Sequence, residues 1–451
     1  MGSGPVKRST LAGLVFLCFH VAIGQETDKE LEEMKSTIEG IQESAGEYRG
    51  YVNELRKIKI TGLIHAQYRN TDLEGTLASY SGGNFPANVN KAFELRRGRL
   101  KIQYDDVLTR FVFQIDGRQS GVTVKDAYAA ITEPWLQSFG FQIGIFDRPF
   151  GFEVPFSSGS RETPERSRVV QTLFPGEREL GAKLFFAPQY GKLSFLRVDA
   201  GLVNGAGPLS PEFDNFKDFI GRVAVQLPFD EAAAELDLGV SGYRGNVRNN
   251  TKYLWSMGSV SQGFVVDSSN ANLDAGVSRN YVGFDAQFYY DLPMIGGVAL
   301  RAEVITGTQP GGSTVASPPD PFGTRLTTIS PLAQPTGPIY RRDFVGWYIN
   351  LVQSIGSDHQ IVAKYDVYDP NTAVSGMDFM GSNNLSPADV KFTTVGLGYI
   401  FHWNQYVKFL LYYEWISNEE VNTAASSNSE LAPFVDNFKD NIFTFRTQLK
   451  F

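Results

Sequence analysis

The sequence predicts an all-β protein, a transmembrane antiparallel β-barrel of about 16 strands behind a short N-terminal periplasmic helix, and three observations carry that expectation. Short segments of alternating hydrophobicity follow one another from residue 58 to the C-terminus. The connections between them alternate between short and long. The last segment, NIFTFRTQLKF, sets Phe443, Phe445, Thr447, Leu449 and Phe451 on one face and Ile442, Thr444, Arg446, Gln448 and Lys450 on the other. A soluble sandwich would turn the apolar face to a core, whereas a membrane barrel turns it to lipid and keeps the polar face on a water-filled lumen. Only the barrel has a reason to sort its loops by side.

At 451 residues the chain has room for two or three soluble domains or for one large barrel. Residues 1–24 have the features of a secretory leader: Lys7 and Arg8 precede an apolar run from Leu11 to Ile23, and Ala22 and Gly24 supply small residues at a cleavage site. Cys18 lies in that run, so the expected mature chain has neither disulfides nor a thiolate metal site. Loss of Lys7 and Arg8 takes the formal charge from −8 to −10. That acidity argues against a nucleic-acid partner. Beyond the leader no run of eighteen apolar residues predicts a membrane helix.

Residues 25–57 read as a helix or coiled coil. Leu31, Met34, Ile38, Ile41, Ala45, Tyr48, Val52 and Leu55 recur at strict three-four spacing. Acids crowd its start (Glu26, Asp28, Glu30, Glu32, Glu33) and bases its end (Arg49, Arg56, Lys57), as the helix dipole favours. Gly40, Gly46 and Gly50 weaken it by roughly 1 kcal/mol each relative to alanine. The pattern suits a self-associating coil or one amphipathic helix resting on the barrel rim.

Strand periodicity begins at Ile58 and marks residues 58–69, 91–104, 109–116, 122–131, 140–147, 179–187, 193–203, 218–229, 234–246, 278–291, 296–307, 341–354, 358–369, 391–403, 406–417 and 440–451. The barrel domain is thus 58–451. Short connections fall at 105–108, 188–192, 230–233, 292–295, 355–357 and 404–405, and long polar ones at 70–90, 148–178, 247–277, 308–340, 370–390 and 418–439, with 117–121 an exception. Short periplasmic turns and long outer loops are the expected sorting. The long loops other than 148–178 are rich in Asn, Ser, Pro and Gly and read as solvated surface. Tyr399, Phe401 and Trp403 at one strand end, and Tyr413 and Trp415 at the next, fit interfacial girdles.

The second strand reads FELRRGRLKIQY, with Leu100, Ile102 and Tyr104 on one face and Arg97, Arg99, Lys101 and Gln103 on the other. Facing lipid, each base would cost about 2–4 kcal/mol, so that face must line the lumen. Arg96 has the opposite parity and belongs near the outer rim or at a bulge. Arg110, Gln114 and Asp116 share the lumen face of the next strand, and alternation leaves the facing of Lys125 open. A ladder of cations along a narrow aqueous path favours anions. Alternatively, Arg97 and Arg99 pair with Glu94, Asp116 and other acids and stiffen the wall.

The connection 148–178, RPFGFEVPFSSGSRETPERSRVVQTLFPGER, offers Phe150, Phe152, Val154 and Phe156 as wall anchors and Thr163, Pro164 and Glu165 as a helix start. Folded inward, it would narrow the channel and bring Arg161, Arg166 and Arg168 to the constriction; lying outside, its charges would pair with one another.

The terminal phenylalanine resembles the signal by which outer-membrane barrels are recognised for insertion. ITGLIHAQYR, LRRGRLKIQYDD, VKDAYAAI, GIFDRPFGFE and ERELGAKL resemble the phosphate-selective porin O and P family, over about residues 58–190. That resemblance implies a sixteen-stranded homotrimer in the bacterial outer membrane, a constricting third loop, and passage of phosphate-like anions past basic residues. The 148–178 segment departs from it, having no lysine and nearly balancing its arginines with glutamates.

No catalytic constellation is expected. His65 should face the lumen, and His359 and His402 lie near short turns with no acidic or serine partner at a recognisable spacing. No cluster has metal-ligand spacing, and no cofactor is implied. The sequence therefore points to a passive anion porin. A general diffusion porin, or a non-conducting barrel tethered by its coil to a periplasmic partner, are the alternatives.

Overall fold

The computed structural model describes residues 11–74, 85, 88–119, 121–312, 337–438 and 440–451, with side chains from residue 31 onward. Contacts divide the chain into a helical unit through Lys59 and a barrel unit from Ile60.

The helical unit is one helix, α1 (Leu11–Arg56), which Gly40, Gly46 and Gly50 do not interrupt. Its seam residues Leu31, Met34, Ile38, Ile41, Tyr48, Val52 and Leu55 are all exposed. Among the described residues no helix is long and apolar enough to cross a membrane.

The strands are β1 (Ile58–Thr71), β2 (Lys91–Asp105), β3 (Thr109–Arg118), β4 (Gly121–Thr132), β5 (Phe139–Asp147), β6 (Arg178–Phe186), β7 (Leu196–Val203), β8 (Asp218–Phe229), β9 (Ala234–Arg248), β10 (Tyr253–Met257), β11 (Phe264–Ser268), β12 (Gly276–Leu292), β13 (Gly296–Gly311), β14 (Ile339–Ile355), β15 (His359–Asp369), β16 (Phe392–His402), β17 (Val407–Asn418) and β18 (Ile442–Lys450). Sixteen of them, all but β10 and β11, form a closed antiparallel barrel. β18 returns to β1 with Leu63 opposite Lys450 and Thr71 opposite Ile442. Gly62 and Phe451 then exchange backbone hydrogen bonds of 3.0 and 3.1 Å, so the last residue completes the seam. A Cβ on Gly62 would overlap the Phe451 ring where it lies.

Alternation becomes an inside and an outside. On β18, Ile442, Thr444, Arg446 and Gln448 are buried within the barrel while Phe445 and Leu449 are exposed on its wall. Leu100, Ile102, Phe111 and Phe113 are exposed in the same way. Trp403 stands exposed just past one end of the wall, and Tyr413 packs on exposed Trp415 near the other at 4.6 Å.

Two slips of phase break the alternation on the lumen side. On β2 both Arg96 and Arg97 bond to the same interior carboxylate, although they are neighbours in sequence. On β4, Gln114 of β3 faces Asp126 and Ile115 faces Val124, so Lys125 is the extra residue of a bulge. That is why parity left Lys125 undecided; Lys125 and Asp126 are both buried.

The long connections correct the expectation of solvated surface. Phe264 of β11, Val374, Phe379, Leu385, Val390, Val421, Leu431 and Phe434 are buried together with Tyr340, Phe392, Ile416 and Ile442 in an apolar cap at the long-loop end. Trp255 of the β10–β11 hairpin, which alternation did not reveal, stacks on Tyr340 at 5.2 Å. The asparagines of these loops serve backbone rather than water: Asn418 accepts from the Phe438 N–H at 2.7 Å and donates to the Glu419 carbonyl at 2.7 Å. Sparse apolar residues on a self-satisfied backbone can therefore bury themselves. The expected connections 70–90 and 308–340 lie largely outside the described residues, as does the start of the leader.

Candidate functional site

The connection between β5 and β6 runs into the barrel. Its base is pinned by the Arg148 N–H donating to the Glu177 carbonyl at 3.1 Å and by Arg178 on Asp126 at 2.8 Å. From there Phe150, Val154, Val169, Val170, Leu173 and Phe174 bury against Val203, Ile220, Tyr243, Tyr281, Ile305, Phe344 and Tyr368 of the wall. Full burial of side chains of this size is worth about 1.5–3 kcal/mol each, which holds the loop to one side of the lumen. Gly151 has φ +60° and sits against Glu303 where any side chain would collide.

Polar contacts extend the hold. Lys364 of β15 pairs with Glu153 at 2.8 Å, and Glu153 also accepts from the Ser167 N–H at 2.8 Å. The Arg168 N–H donates to Asp366 at 2.8 Å and starts α2 (Arg168–Leu173). A helix was expected from Thr163–Glu165. It does not form there because the carbonyls that would bond the next turn are already taken: that of Thr163 by Arg161 at 3.3 Å, and that of Pro164 by Arg161 at 3.0 Å and Arg446 at 2.7 Å.

The tip, residues 157–165, reaches across to β17 and β18, where Gln448 donates to the Gly159 carbonyl at 3.0 Å and Lys408 to the Arg161 carbonyl at 3.2 Å, while Arg301 of β13, on the anchored side, pairs with Glu162 at 2.8 Å. Glu165 gathers Arg96 at 2.7 Å, Arg97 and Arg446 each at 3.1 Å, and Arg161 at 3.8 Å. Burial pushes the Glu165 carboxyl up, but Arg96, Arg97 and Arg446 outweigh it and hold it well below the usual carboxylate range.

The predicted basic residues divide by partner. Arg97 meets Glu165, and Arg99 meets Asp116 at 3.4 Å and the Ser158 hydroxyl. Lys125 meets Glu177 at 2.6 Å. Arg110, half exposed next to a short turn, pairs with Asp105 at 2.7 Å rather than lining the middle of the lumen. Arg166 donates to the carbonyls of Glu153, Val154 and Phe156 at 2.7, 3.1 and 2.7 Å and so ties the loop to itself. Arg168 lies over the Phe392 ring at 4.0 Å. Lys101 has no hydrogen-bond or ion-pair partner among the described residues, and it borders a cavity of about 280 Å³ with Arg99, Arg166, Arg178 and Lys450 and with the acids Asp126 and Asp147. A second cavity of about 490 Å³, bordered by Glu162, Asp230, Glu235, Asp291 and Arg301, is acidic.

His65 is buried in the lumen and bonds Gln448 at 2.8 Å. No group of three His, Cys, Asp or Glu side chains among the described residues is placed to hold a metal. Arg301, Lys364, Lys408 and Arg446 were not put among the pore-lining residues from the sequence, and Arg96, expected near the outer rim or at a bulge, lies at the slip of β2. Parity on their own strands signals all but Arg96, whose facing depends on the slip.

No family model matches the chain, and no curated protein matches it. Solved structures do. An anion-selective porin from Comamonas acidovorans superposes with TM-score 0.51 at 11% identity, covering 87% of this chain and 99% of that one. Pseudomonas putida OprB, in its high-pH structure, gives TM-score 0.54 at 10% identity over 89% and 96% of the two chains. The fold is that of the Gram-negative outer-membrane porins.

Proposed function

We propose that the protein is a passive porin of a bacterial outer membrane that conducts small anionic solutes such as phosphate through a lumen lined by Arg97, Arg99, Lys101 and Lys125. The loop carrying Arg161, Arg166 and Arg168 narrows that lumen. The observation that supports the reading most is the ammonium of Lys101, which has no ion-pair partner among the described residues and borders a cavity beneath the inward loop where Arg99, Arg166, Arg178 and Lys450 outnumber Asp126 and Asp147. A fixed charge without a counter-ion draws mobile anions to itself. In this reading the wall faces lipid, the short turns and residues 25–57 are periplasmic, the leader 1–24 is removed, and the exposed seam of α1 joins three copies.

Two observations favour other readings. The pairing of Arg97 and Arg99 with Glu165 and Asp116 favours a general diffusion pore without phosphate preference. The wall-to-wall hold on the loop tip, with the apolar cap above, favours a non-conducting barrel tethered to a periplasmic partner. The reversal potential of the purified protein in a planar bilayer across a KCl gradient, followed by added phosphate, separates the three. An anion-selective potential with phosphate block supports the proposal. A weakly selective current supports the diffusion pore, and no current supports the tether.

A further inference from the structure

The guanidinium cluster around Glu165 holds more positive charge than its acids balance. Arg69, Arg96, Arg97, Arg161 and Arg446 bring five positive charges, and Glu94 and Glu165 bring two negative ones. Glu94 belongs to Arg69 and to Gln67, whose amide donates at 2.9 Å. Gln67 in turn accepts from Arg446 at 2.8 Å. That leaves Glu165 alone to serve Arg96, Arg97, Arg161 and Arg446. It cannot satisfy them: Nε and Nη1 of Arg97 and Nη1 of Arg161 are buried with no hydrogen-bond partner among the described residues, and each side chain is 2% exposed. Buried unpaired donors are costly, and donors on a cation more so.

The form of the occupied part of the site is specific. Nε and Nη2 of Arg96 meet the two oxygens of Glu165 at 2.7 and 2.8 Å, the parallel two-point grip that a planar guanidinium makes on a planar carboxylate. Three of the four cations belong to different parts of the barrel wall from the loop that carries Glu165: Arg96 and Arg97 to β2 and Arg446 to β18. Other bonds also hold the tip, but most run to its carbonyls from long flexible side chains such as Lys408 and Gln448.

We propose that the wall builds a binding site for a carboxylate from Arg96, Arg97 and Arg446, that Glu165 occupies it as a built-in counter-ion, and that a soluble carboxylate displaces Glu165 and with it the loop tip. This rests on the porin reading and narrows it, because it names the solute class at the loop tip and makes the loop responsive to that solute. Phosphate shares the charge but not the planar two-oxygen shape.

The test uses the full-length protein and propionate, which reproduces the glutamate side chain, beside inorganic phosphate. Glu165→Gln keeps the size of the residue and removes its charge. Calorimetric titration should show propionate binding to E165Q at least about tenfold more tightly than to the unsubstituted protein, the ratio expected from about 1.4 kcal/mol of lost competition. Added Arg97→Gln should abolish the gain. In a planar bilayer, propionate should block E165Q at correspondingly lower concentration than phosphate does. Equal binding to both proteins, or phosphate preferred over propionate, overturns the proposal. Binding without any conductance keeps the carboxylate site and removes the channel; conductance without binding does the reverse. Should E165Q fail to fold, hydrogen exchange in residues 157–165 of the unsubstituted protein decides: acceleration by saturating propionate supports displacement, and unchanged exchange refutes it.

Discussion

Phe451 lies over Gly62, and the two residues exchange both backbone hydrogen bonds at the point where the last strand meets the first. Phe451 thus closes the ladder, and its ring lies where a Cβ on Gly62 would stand. Gly62→Val should force the ring or the strand aside at a cost of about 1–3 kcal/mol, as overpacking does. The expected outcome is a lower yield of folded barrel, read as the fraction with unheated mobility on a denaturing gel. Undiminished yield would show that the seam tolerates displacement of Phe451.

Lumen charges should differ in effect according to their partners. Lys101→Gln removes a cation with no ion-pair partner among the described residues, whereas Arg97→Gln or Arg99→Gln removes one that shares its acid with other arginines, Glu165 with Arg96, Arg161 and Arg446 and Asp116 with Arg118. A unit charge about 10 Å from a permeating ion contributes about 0.4 kcal/mol in water, or roughly a twofold change in permeability ratio. Lys101→Gln should therefore shift the reversal potential toward cations by about that ratio. An unchanged potential would place Lys101 off the ion path.

Lys364 and Glu153 hold the inward loop through a buried pair. Lys364→Met leaves Glu153 without its ammonium, and breaking such a pair costs about 3–5 kcal/mol. The loop should loosen, giving a larger and noisier single-channel conductance together with a lower melting temperature. Adding Glu153→Gln should recover part of the loss. If the single substitution leaves both readings alone, the apolar anchors hold the loop by themselves.

Asp440 stands beneath the apolar cap, fully buried, with neither carboxylate oxygen hydrogen-bonded among the described residues. Burial pushes its carboxyl up to about 7; Arg168 opposes the rise, and Asp72 and Glu414 add to it. The folded state therefore keeps a proton that the unfolded state has released, so stability falls as pH rises from about 4 to about 7 and stays low above. The loss is at most about 4 kcal/mol. Thermal unfolding should show the protein more stable at pH 5 than at pH 8, and Asp440→Asn should flatten the difference. A difference that survives the substitution would belong to other groups.

The seam of α1 offers Ile38 and Ile41 to water in a single chain. If three copies cover it, Ile38→Asp with Ile41→Asp should lower the temperature at which the oligomer dissociates while leaving single-channel conductance unchanged. Equal dissociation temperatures would assign the helix another role.

Strand positions and the facing of most lumen residues were legible in the sequence because alternation is local: a two-residue repeat says which side of the wall each side chain takes. Arg99, Lys101, Gln114 and Arg446 follow it, and so does the sorting of short and long connections. Where one residue is inserted the rule fails within that strand, which is why Arg96 and Lys125 needed the observed register. What only the tertiary structure decided is who meets whom. Arg446 and Glu165 are 281 residues apart and Lys364 and Glu153 are 211 apart, so no spacing announces either pair. The inward path of the loop and the burial of the Asn- and Ser-rich cap have the same origin. Each depends on closure of the barrel, which brings strands from both ends of the chain around one enclosed volume where a charge must find a partner or remain unsatisfied.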